Sequence, residues 1–378
     1  MCKRIFKDET TPEGDIPFFK IGTFGSEPDA YISRELFEEY KSKFSYPEDG
    51  AILLSASGTI GRIVEYNGEE AYFQDSNIVW LSHDNSVTNK FLKVVYPTVK
   101  WDGIEGSTIQ RLYNDNFLKT KFMMPSIPEQ EKLAEFFEEL DNLITLHQRK
   151  CDETKELKKY MLQKMFPKNG MKKPEIRFKG FTDDWEQRKL EDLFEIVDTK
   201  HATAPISNEK TKYRMIRTNC VRNGQLIAEN TDSVTEEIYE EWSERIHLRV
   251  GDLVFTREAP MGESAVITED GNKYFPGQRI VSMRSKGNTS AFFINQLFYA
   301  DEFRKEIKIR EAASTTVANF GIPQIKNHIV SVPCLKEQVK IGGLFSCFDN
   351  LITLHQRKCD ELKEAKKSML QNMFPKKG

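Results

Sequence analysis

The chain has 378 residues, room for about two to four domains of ordinary size, and its 39% hydrophobic and 30% charged residues exclude wholesale disorder. No run approaches the ~18 consecutive apolar residues of a membrane helix, and the opening MCKRIFKDETTPEGD lacks the apolar stretch of a secretory signal, so a cytoplasmic location is expected. Against 58 acidic residues stand 55 basic ones, a net charge of -3, which is low for a protein that holds nucleic acid unaided.

In chain order, hydrophobic patterning predicts an amphipathic helix around Glu39 and short strands at Ala51 to Ser55, Ile60 to Val64 and Asn77 to Leu81. A long helix follows from Pro128 to Phe166. Further strands are predicted at Asp252 to Thr256, Ser264 to Thr268 and Arg279 to Met283, before a second long helix closes the chain. The class is α/β in the mixed, α+β sense. Cys2, Cys151, Cys220, Cys334, Cys347 and Cys359 form no C-x-x-C pair, so reduced thiols are expected rather than a zinc ribbon or a disulfide framework.

An internal repeat organises these elements. Asp141 to Gly170 recurs as Asp349 to Gly378, with 25 of 30 positions identical at a shift of 208. The match continues upstream, Pro125, Glu129, Gln130, Lys132 and Phe137 answering Pro333, Glu337, Gln338, Lys340 and Phe345, and Thr108 answers Thr316. Four segments follow: 1–124, 125–170, 171–332 and 333–378. Each variable globular segment is thus trailed by a nearly invariant helical one.

The helical copies read as a coiled coil. Leu133, Phe137, Leu140, Ile144, His147, Cys151, Thr154, Lys158, Met161 and Met165 step by fours and threes, which keeps one seam toward a partner helix. The second ladder is Ile341, Phe345, Phe348, Ile352, His355, Cys359, Leu362, Lys366, Met369 and Met373. Both copies stop at Phe-Pro, since proline cannot continue a helix interior. His147 and His355 invite a metal or proton-relay reading, but a polar rung that sets register is preferred.

Catalytic motifs are missing: there is no Walker A loop, HExxH, GxSxG or GxGxxG. Asp29, Glu39 and Lys41 have a spacing reminiscent of a Mg²⁺ nuclease, although a solvated helix face is preferred for Glu39. The turn Gly58 to Gly61 resembles a backbone-clamping GxxG loop, but APMG in the second half favours a plain turn that needs glycine. What remains is a set of polar and basic side chains at strand ends and loops, suited to base edges and phosphates. In the first half these are Lys20, Thr23, Ser57, Thr59, Gln74, Asn77, Thr108, Gln110 and Arg111. In the second they are Arg217, Asn219, Arg222, Thr256, Arg257, Gln278, Arg279, Thr315, Thr316 and Asn319.

The tandem plan, STIQRL, STTVANFGIP, PSIPEQ and PCLKEQ, LDNLITLHQRK and FDNLITLHQRK, and the leader KPEIRFKGFTDDWEQRKLEDLFEIV together resemble the specificity subunit of type I restriction-modification systems. The resemblance runs over essentially the whole chain. It implies two target-recognition domains separated by two long antiparallel coiled-coil helices, a pseudo-two-fold tandem repeat that is not itself an enzyme. Each domain would read one half of a split double-stranded DNA site. It also implies partner modification (methyltransferase) and restriction (translocase/nuclease) subunits, which would carry S-adenosylmethionine, ATP and Mg²⁺, with no cofactor on this chain. Thirty-nine helical residues at about 1.5 Å each span roughly 58 Å, bridging at most about 17 base pairs. The leader from Lys173 to Val197 has no counterpart in the first half, so the first domain is expected to lack its opening element. Residues 1–124 carry 14 basic and 19 acidic side chains, so strong DNA affinity is expected to need the partners.

Overall fold

The computed structural model describes residues 1–106, 109–168, 170–200, 202–313 and 318–374. The chain divides into two compact units, residues 1–148 with 357–378, and residues 149–356. Among the described residues no helix is long and apolar enough to cross a membrane.

Unit 1 holds two small sheets. In the first, β1 (Ile16–Phe19) pairs antiparallel with β2 (Tyr31–Ile32) and parallel with β5 (Tyr72–Phe73). In the second, β3 (Ile52–Ser55) lies between β4 (Ile63–Glu65) and β6 (Ile78–Trp80), both antiparallel. Helix α1 (Arg34–Lys43) starts at Ser33, whose hydroxyl accepts from the Leu36 N–H, and turns Phe37 into the core with Ile16, Phe18, Phe24 and Tyr72. Helices α2 (Asn89–Val95) and α3 (Asn114–Lys119) contribute Phe91, Leu92 and Phe117 to a second cluster around Leu54 and Val79.

Unit 2 repeats both sheets and adds a strand to the second. After β7 (Glu186–Lys189) and the single turn α5 (Leu190–Leu193) come β8 (Phe194–Asp198), β9 (Tyr213–Ile216), the hairpin β10 (Val221–Arg222) and β11 (Gln225–Leu226), then β12 (Asp232–Ser233), α6 (Glu236–Trp242), β13 (Leu253–Thr256), β14 (Ser264–Val266), β15 (Lys273–Pro276) and β16 (Ile280–Ser285). The sheet β12-β9-β15 has the topology of β2-β1-β5, including its parallel pair, and β14-β13-β16 answers β4-β3-β6 with β8 added at the edge. Helices α7 (Ala291–Leu297), α8 (Asp301–Ala312) and α9 (Ile322–Asn327) cover the second sheet, and β17 (Ile329–Val332) pairs antiparallel with β7. The predicted strands are all present, except that Ile60 and Gly61 belong to a turn and the strand there starts at Ile63.

That turn is locked in the same way in both units. The hydroxyl ending the central strand, Ser55 or Thr256, donates to the carbonyl of Thr59 or Pro260 (2.6 Å each) and accepts the N–H of Arg62 or Glu263 (2.9 Å each). Gly61 and Gly262 close it at φ 89° and 82°, and a Cβ on Gly262 would sit 2.8 Å from Ile307 Cγ1. The glycine requirement in GTIG and APMG is therefore conformational.

The two long helices are α4 (Ile127–Lys164) and α10 (Leu335–Met373). Within unit 1, Cys359 donates weakly to the Ile144 carbonyl (3.9 Å) and Phe137 meets Phe374 at 6.3 Å between ring centroids. Within unit 2, Cys151 donates to the Ile352 carbonyl (3.7 Å) and Phe166 meets Phe345 at 5.9 Å. Contacts that climb one helix and descend the other mean antiparallel pairing, as the resemblance implied. Leu133, Phe137, Leu140, Ile144, His147, Ile341, Phe345, Phe348, Ile352 and His355 are all buried or half-buried on the seam. The last two rungs of the second ladder depart from expectation: Met369 and Met373 are exposed, and Leu370 and Phe374 turn inward. Phe374 packs on Phe91 and Phe137, and this aromatic contact rotates the final turn off the heptad.

Each helix is tied to its globular part by a buried glutamine. Gln338 Oε1 accepts from the Ser290 N–H (3.0 Å) and the Thr289 hydroxyl (2.8 Å), while Nε2 donates to the Pro333 carbonyl (2.8 Å). Gln130 does the same with the Thr88 N–H (2.9 Å) and the Ser86 and Pro125 carbonyls (3.0 Å each). The repeated Pro-x-x-x-Glu-Gln thus joins a long helix to the N-terminus of a short one, because one amide side chain satisfies donors and acceptors on both.

Candidate nucleic-acid interface

Parallel pairing of β1 with β5, and of β9 with β15, brings two strand ends and their outgoing loops to one rim of each unit. In unit 1 the rim is continuous through hydrogen bonds. The Ile21 N–H donates to Gln74 Oε1 (2.8 Å), the Ala56 N–H to the Asn77 carbonyl (2.8 Å) and the Gly58 N–H to the Gln110 carbonyl (2.9 Å), and Ser57 bridges Arg111. Lys20, Gln74, Asn77, Thr59, Gln110 and Arg111 are therefore neighbours along one edge. Thr59, Gln110 and Arg111 are exposed, and Lys20 pairs with Asp29 at 2.8 Å.

In unit 2 the rim gathers around Glu258. Arg279 Nε lies 2.8 Å from its carboxylate, Arg257 Nη2 3.9 Å away, and Asn319 Nδ2 donates to it at 3.4 Å. Arg257 also faces Asp198 at 3.9 Å. The Arg257 N–H donates to the Arg279 carbonyl and the Arg257 carbonyl accepts from the Phe320 N–H, which stitches three loops together. Arg279 holds φ 73°, a left-handed backbone that puts its side chain on the exposed side of the loop. Arg217 follows β9 and pairs with Asp232 at 2.5 Å, Asn219 is exposed two residues on, and half-buried Gln278 follows β15. Carboxylates thus fix these guanidinium groups in place before any ligand arrives.

Some candidates have internal duties instead. Thr256 is fully buried and its hydroxyl is committed to the turn described above, and Ser57 is buried as well. Thr23 is spent on the Lys20 backbone, and Gln74 on Ile21. Arg222 donates to the Thr218 and Val221 carbonyls (2.9 Å each) on the β10–β11 hairpin, so it braces a turn. Thr108, Thr315 and Thr316 lie outside the described residues.

Sequence reading overlooked several rim residues. Arg245 Nη1 donates to the Thr199 carbonyl (3.0 Å), Lys200 sits over the Trp242 ring at 5.4 Å, and Arg62 Nη2 donates to the Ile21 carbonyl (2.7 Å). Only these long-range side-chain contacts mark them, since nothing local distinguishes Arg245 from other arginines. The nuclease spacing does not converge: Asp29 pairs with Lys20, Glu39 with Lys43 at 2.9 Å, and Lys41 lies over the Phe37 and Tyr46 rings.

Comparison with known proteins meets this geometry. A type I restriction enzyme specificity subunit from Methanocaldococcus jannaschii is 23% identical over 278 residues, 70% of this chain and 64% of the relative. A Haemophilus influenzae chain named for a type I restriction enzyme specificity subunit is 58% identical over 149 residues, 38% of this chain. The chain thus spans 39% of the length of the Haemophilus relative and 64% of the archaeal one. The crystal structure of a type I restriction-modification S subunit from M. genitalium superposes with a TM-score of 0.64 at 14% identity, covering 100% of this chain and 93% of that one, and so shares the fold. The family described as type I restriction modification DNA specificity domain matches residues 1–156 and 182–364, and the chain belongs to that family.

Proposed function

We propose that this chain is the sequence-reading, non-catalytic subunit of a type I restriction-modification assembly. The rims of units 1 and 2 each read one half of a split double-stranded DNA target, and the long helices dock modification and restriction subunits. The carrying observation is the contrast between the two rims. Their scaffolding is repeated, with the parallel strand pair, the hydroxyl-locked turn and the glutamine tie kept in both units. The side chains mounted on it differ: Lys20, Asn77, Gln110 and Arg111 on one, and Arg217, Gln278, Arg279 and Asn319 on the other. Arginine reads guanine and Asn or Gln reads adenine through bidentate bonds in the major groove, so different sets select different half-sites.

Most of these arginines already hold a carboxylate, and the whole chain is slightly acidic, so non-specific attraction to phosphate is weak. Affinity then comes from partners that close around the duplex, and this chain supplies the choice of sequence. Methyl transfer and ATP-driven cleavage belong to those partners, which are also the seat of S-adenosylmethionine, ATP and Mg²⁺.

The test is methylation by the chain assembled with a type I modification subunit. Methylation of one split target, altered in only one half-site when residues 51–111 are exchanged for another recognition segment, is the expected result. Unchanged target choice after that exchange overturns the reading.

A further inference from the structure

Between the β10–β11 hairpin, α7 and α10, unit 2 has a cleft of about 710 Å³. Leu226 and Phe292 give it apolar surface, and Gln225, Gln296 and Asn350 bring side-chain amides to it. Its walls are held by bonds within the unit. Asn295 Nδ2 donates to the Gly224 carbonyl at 2.9 Å, its Oδ1 accepts from the Ser264 hydroxyl at 2.7 Å, and Gln225 Nε2 donates to the Thr353 hydroxyl at 3.4 Å, which ties the hairpin to both helices. Asp349 is the one carboxylate among the described lining residues, and it is spent on Lys158 and Gln296 Nε2. No lysine or arginine lines the cleft among the described residues. Gln296 is 2% exposed, and its Oε1 is left without a partner.

Unit 1 shows how such a cleft is closed. The glutamine ties align Thr88 with Ser290, so Lys90 and Lys93 stand for Phe292 and Asn295. The strand registers Ile52↔Glu65 and Leu253↔Val266 align Glu65 with Val266, and the repeat aligns Glu135 and Glu138 with Gly343 and Ser346. Two ion pairs, Lys90 with Glu138 at 3.2 Å and Lys93 with Glu65 at 2.6 Å, occupy that place in unit 1 and leave about 180 Å³. Small-molecule sites take about 300–1,000 Å³, a range that admits the cleft of unit 2 and excludes that of unit 1. Neutral side chains replace all four charged ones in unit 2, and a Cβ at Gly343, which lines the cleft, would meet nothing within 4 Å.

We infer that the cleft of unit 2 is a binding site for an uncharged purine nucleoside of the adenosine type. Adenine is a flat ring that can lie on the exposed Phe292 side chain. Its amino group and ring nitrogen match the acceptor and donor of a carboxamide, which the cleft offers at Asn350, while Gln296 holds a further acceptor in reserve. A phosphate would enter beside Asp349 with no lysine or arginine in the lining to meet it, so the nucleoside is favoured over the nucleotide. This inference concerns a small ligand and stands apart from the DNA-reading proposal.

The test titrates the full 378-residue chain with adenosine, read by calorimetry and amide hydrogen exchange. Saturable binding with a Kd of about 0.1 mM is expected, with exchange slowed at Gly224 to Leu226 and along Gly343 to Thr353. AMP and a short adenine oligonucleotide share the base but add phosphates, and should bind at least about tenfold more weakly. Gly343→Leu fills the cleft with a better helix former, so binding should be lost while the melting temperature holds or rises. Phe292→Lys with Ser346→Glu, which installs the ion pair of unit 1, should abolish binding as well. Asn350→Ala should weaken it about fivefold. No binding up to about 5 mM, AMP bound as tightly as adenosine, or adenosine affinity unchanged in both cleft-filling variants would overturn the inference.

Discussion

Lys158 Nζ lies 2.6 Å from Asp349 Oδ1 inside unit 2, with the two side chains only 12% and 14% exposed, and Gln296 Nε2 donates to the other carboxylate oxygen at 3.1 Å. Unit 1 holds the repeat of this pair, Lys366 with Asp141 at 2.5 Å, in a more open setting. Burial pushes the Asp349 carboxyl above its ordinary range even though Lys158 and Gln296 pull the other way. Desolvation of the Asp349 carboxylate therefore outweighs the pull of its two partners.

Removing one member of such a pair leaves a buried charge alone. Asp349→Ala should cost unit 2 about 3 kcal/mol in urea unfolding, whereas Asp141→Ala, in the more solvated pair, should cost about 1 kcal/mol or less. The double replacement Lys158→Met with Asp349→Leu should unfold near the wild-type midpoint. A double variant as weak as the single one would show that the pair contributes net stability.

The glutamine ties make a second expectation. Gln338→Met keeps the side-chain volume but leaves the Ser290 N–H and the Pro333 carbonyl without partners in a buried place. A loss of about 2–3 kcal/mol is expected. Gln130→Met should behave alike, since it serves the Thr88 N–H and the Ser86 and Pro125 carbonyls. Thermal unfolding of both variants would check it, and tolerance of either would mean that these bonds are readily replaced by water.

Glu258 organises the unit 2 rim, where its carboxylate holds Arg279 and Asn319. Glu258→Gln frees Arg257 and Arg279 from their shared carboxylate and removes an acceptor from Asn319. Methylation assays of the assembled complex on single-base variants should then show relaxed discrimination in one half-site. Overall affinity should stay level or rise, because a negative charge has left the interface. Discrimination lost equally in both half-sites would argue against the local role.

Unit 2 should also lose stability in mild acid through His328. Burial holds the imidazole below its ordinary value; Glu306 opposes this and Arg310 reinforces it, and the Phe303 and Phe320 rings flank it. A histidine whose folded value is depressed contributes stability that is whole above its unfolded value, about 6.5, and is lost as pH falls below it. His328→Gln should flatten the decline that sets in as pH falls below about 6.5. A decline of unchanged slope in the variant would assign it to other groups.

Much of this protein is legible in one dimension. The 208-residue repeat, the heptad ladders and the terminal Phe-Pro pairs identify two long pairing helices, because seam periodicity and proline stops are local properties of a chain. The central strands of both halves are legible for the same reason: short apolar runs bounded by turn residues leave few alternatives.

Tertiary structure decided what each polar residue is for. Thr256 and Arg279 look equally suited to a base edge in the sequence, yet one hydroxyl is buried in a turn and one guanidinium is presented on a rim. Arg245 and Lys200 join that rim only through side-chain bonds to the carbonyls of distant segments. Met369 and Met373 kept the heptad rhythm and still turned outward, since Phe374 found aromatic partners in α2 and α4. Periodicity records which face of an element is apolar. Which polar groups remain available for a partner depends on the hydrogen bonds that the folded chain has already made, and those bonds join residues too far apart in sequence for any local pattern to register them.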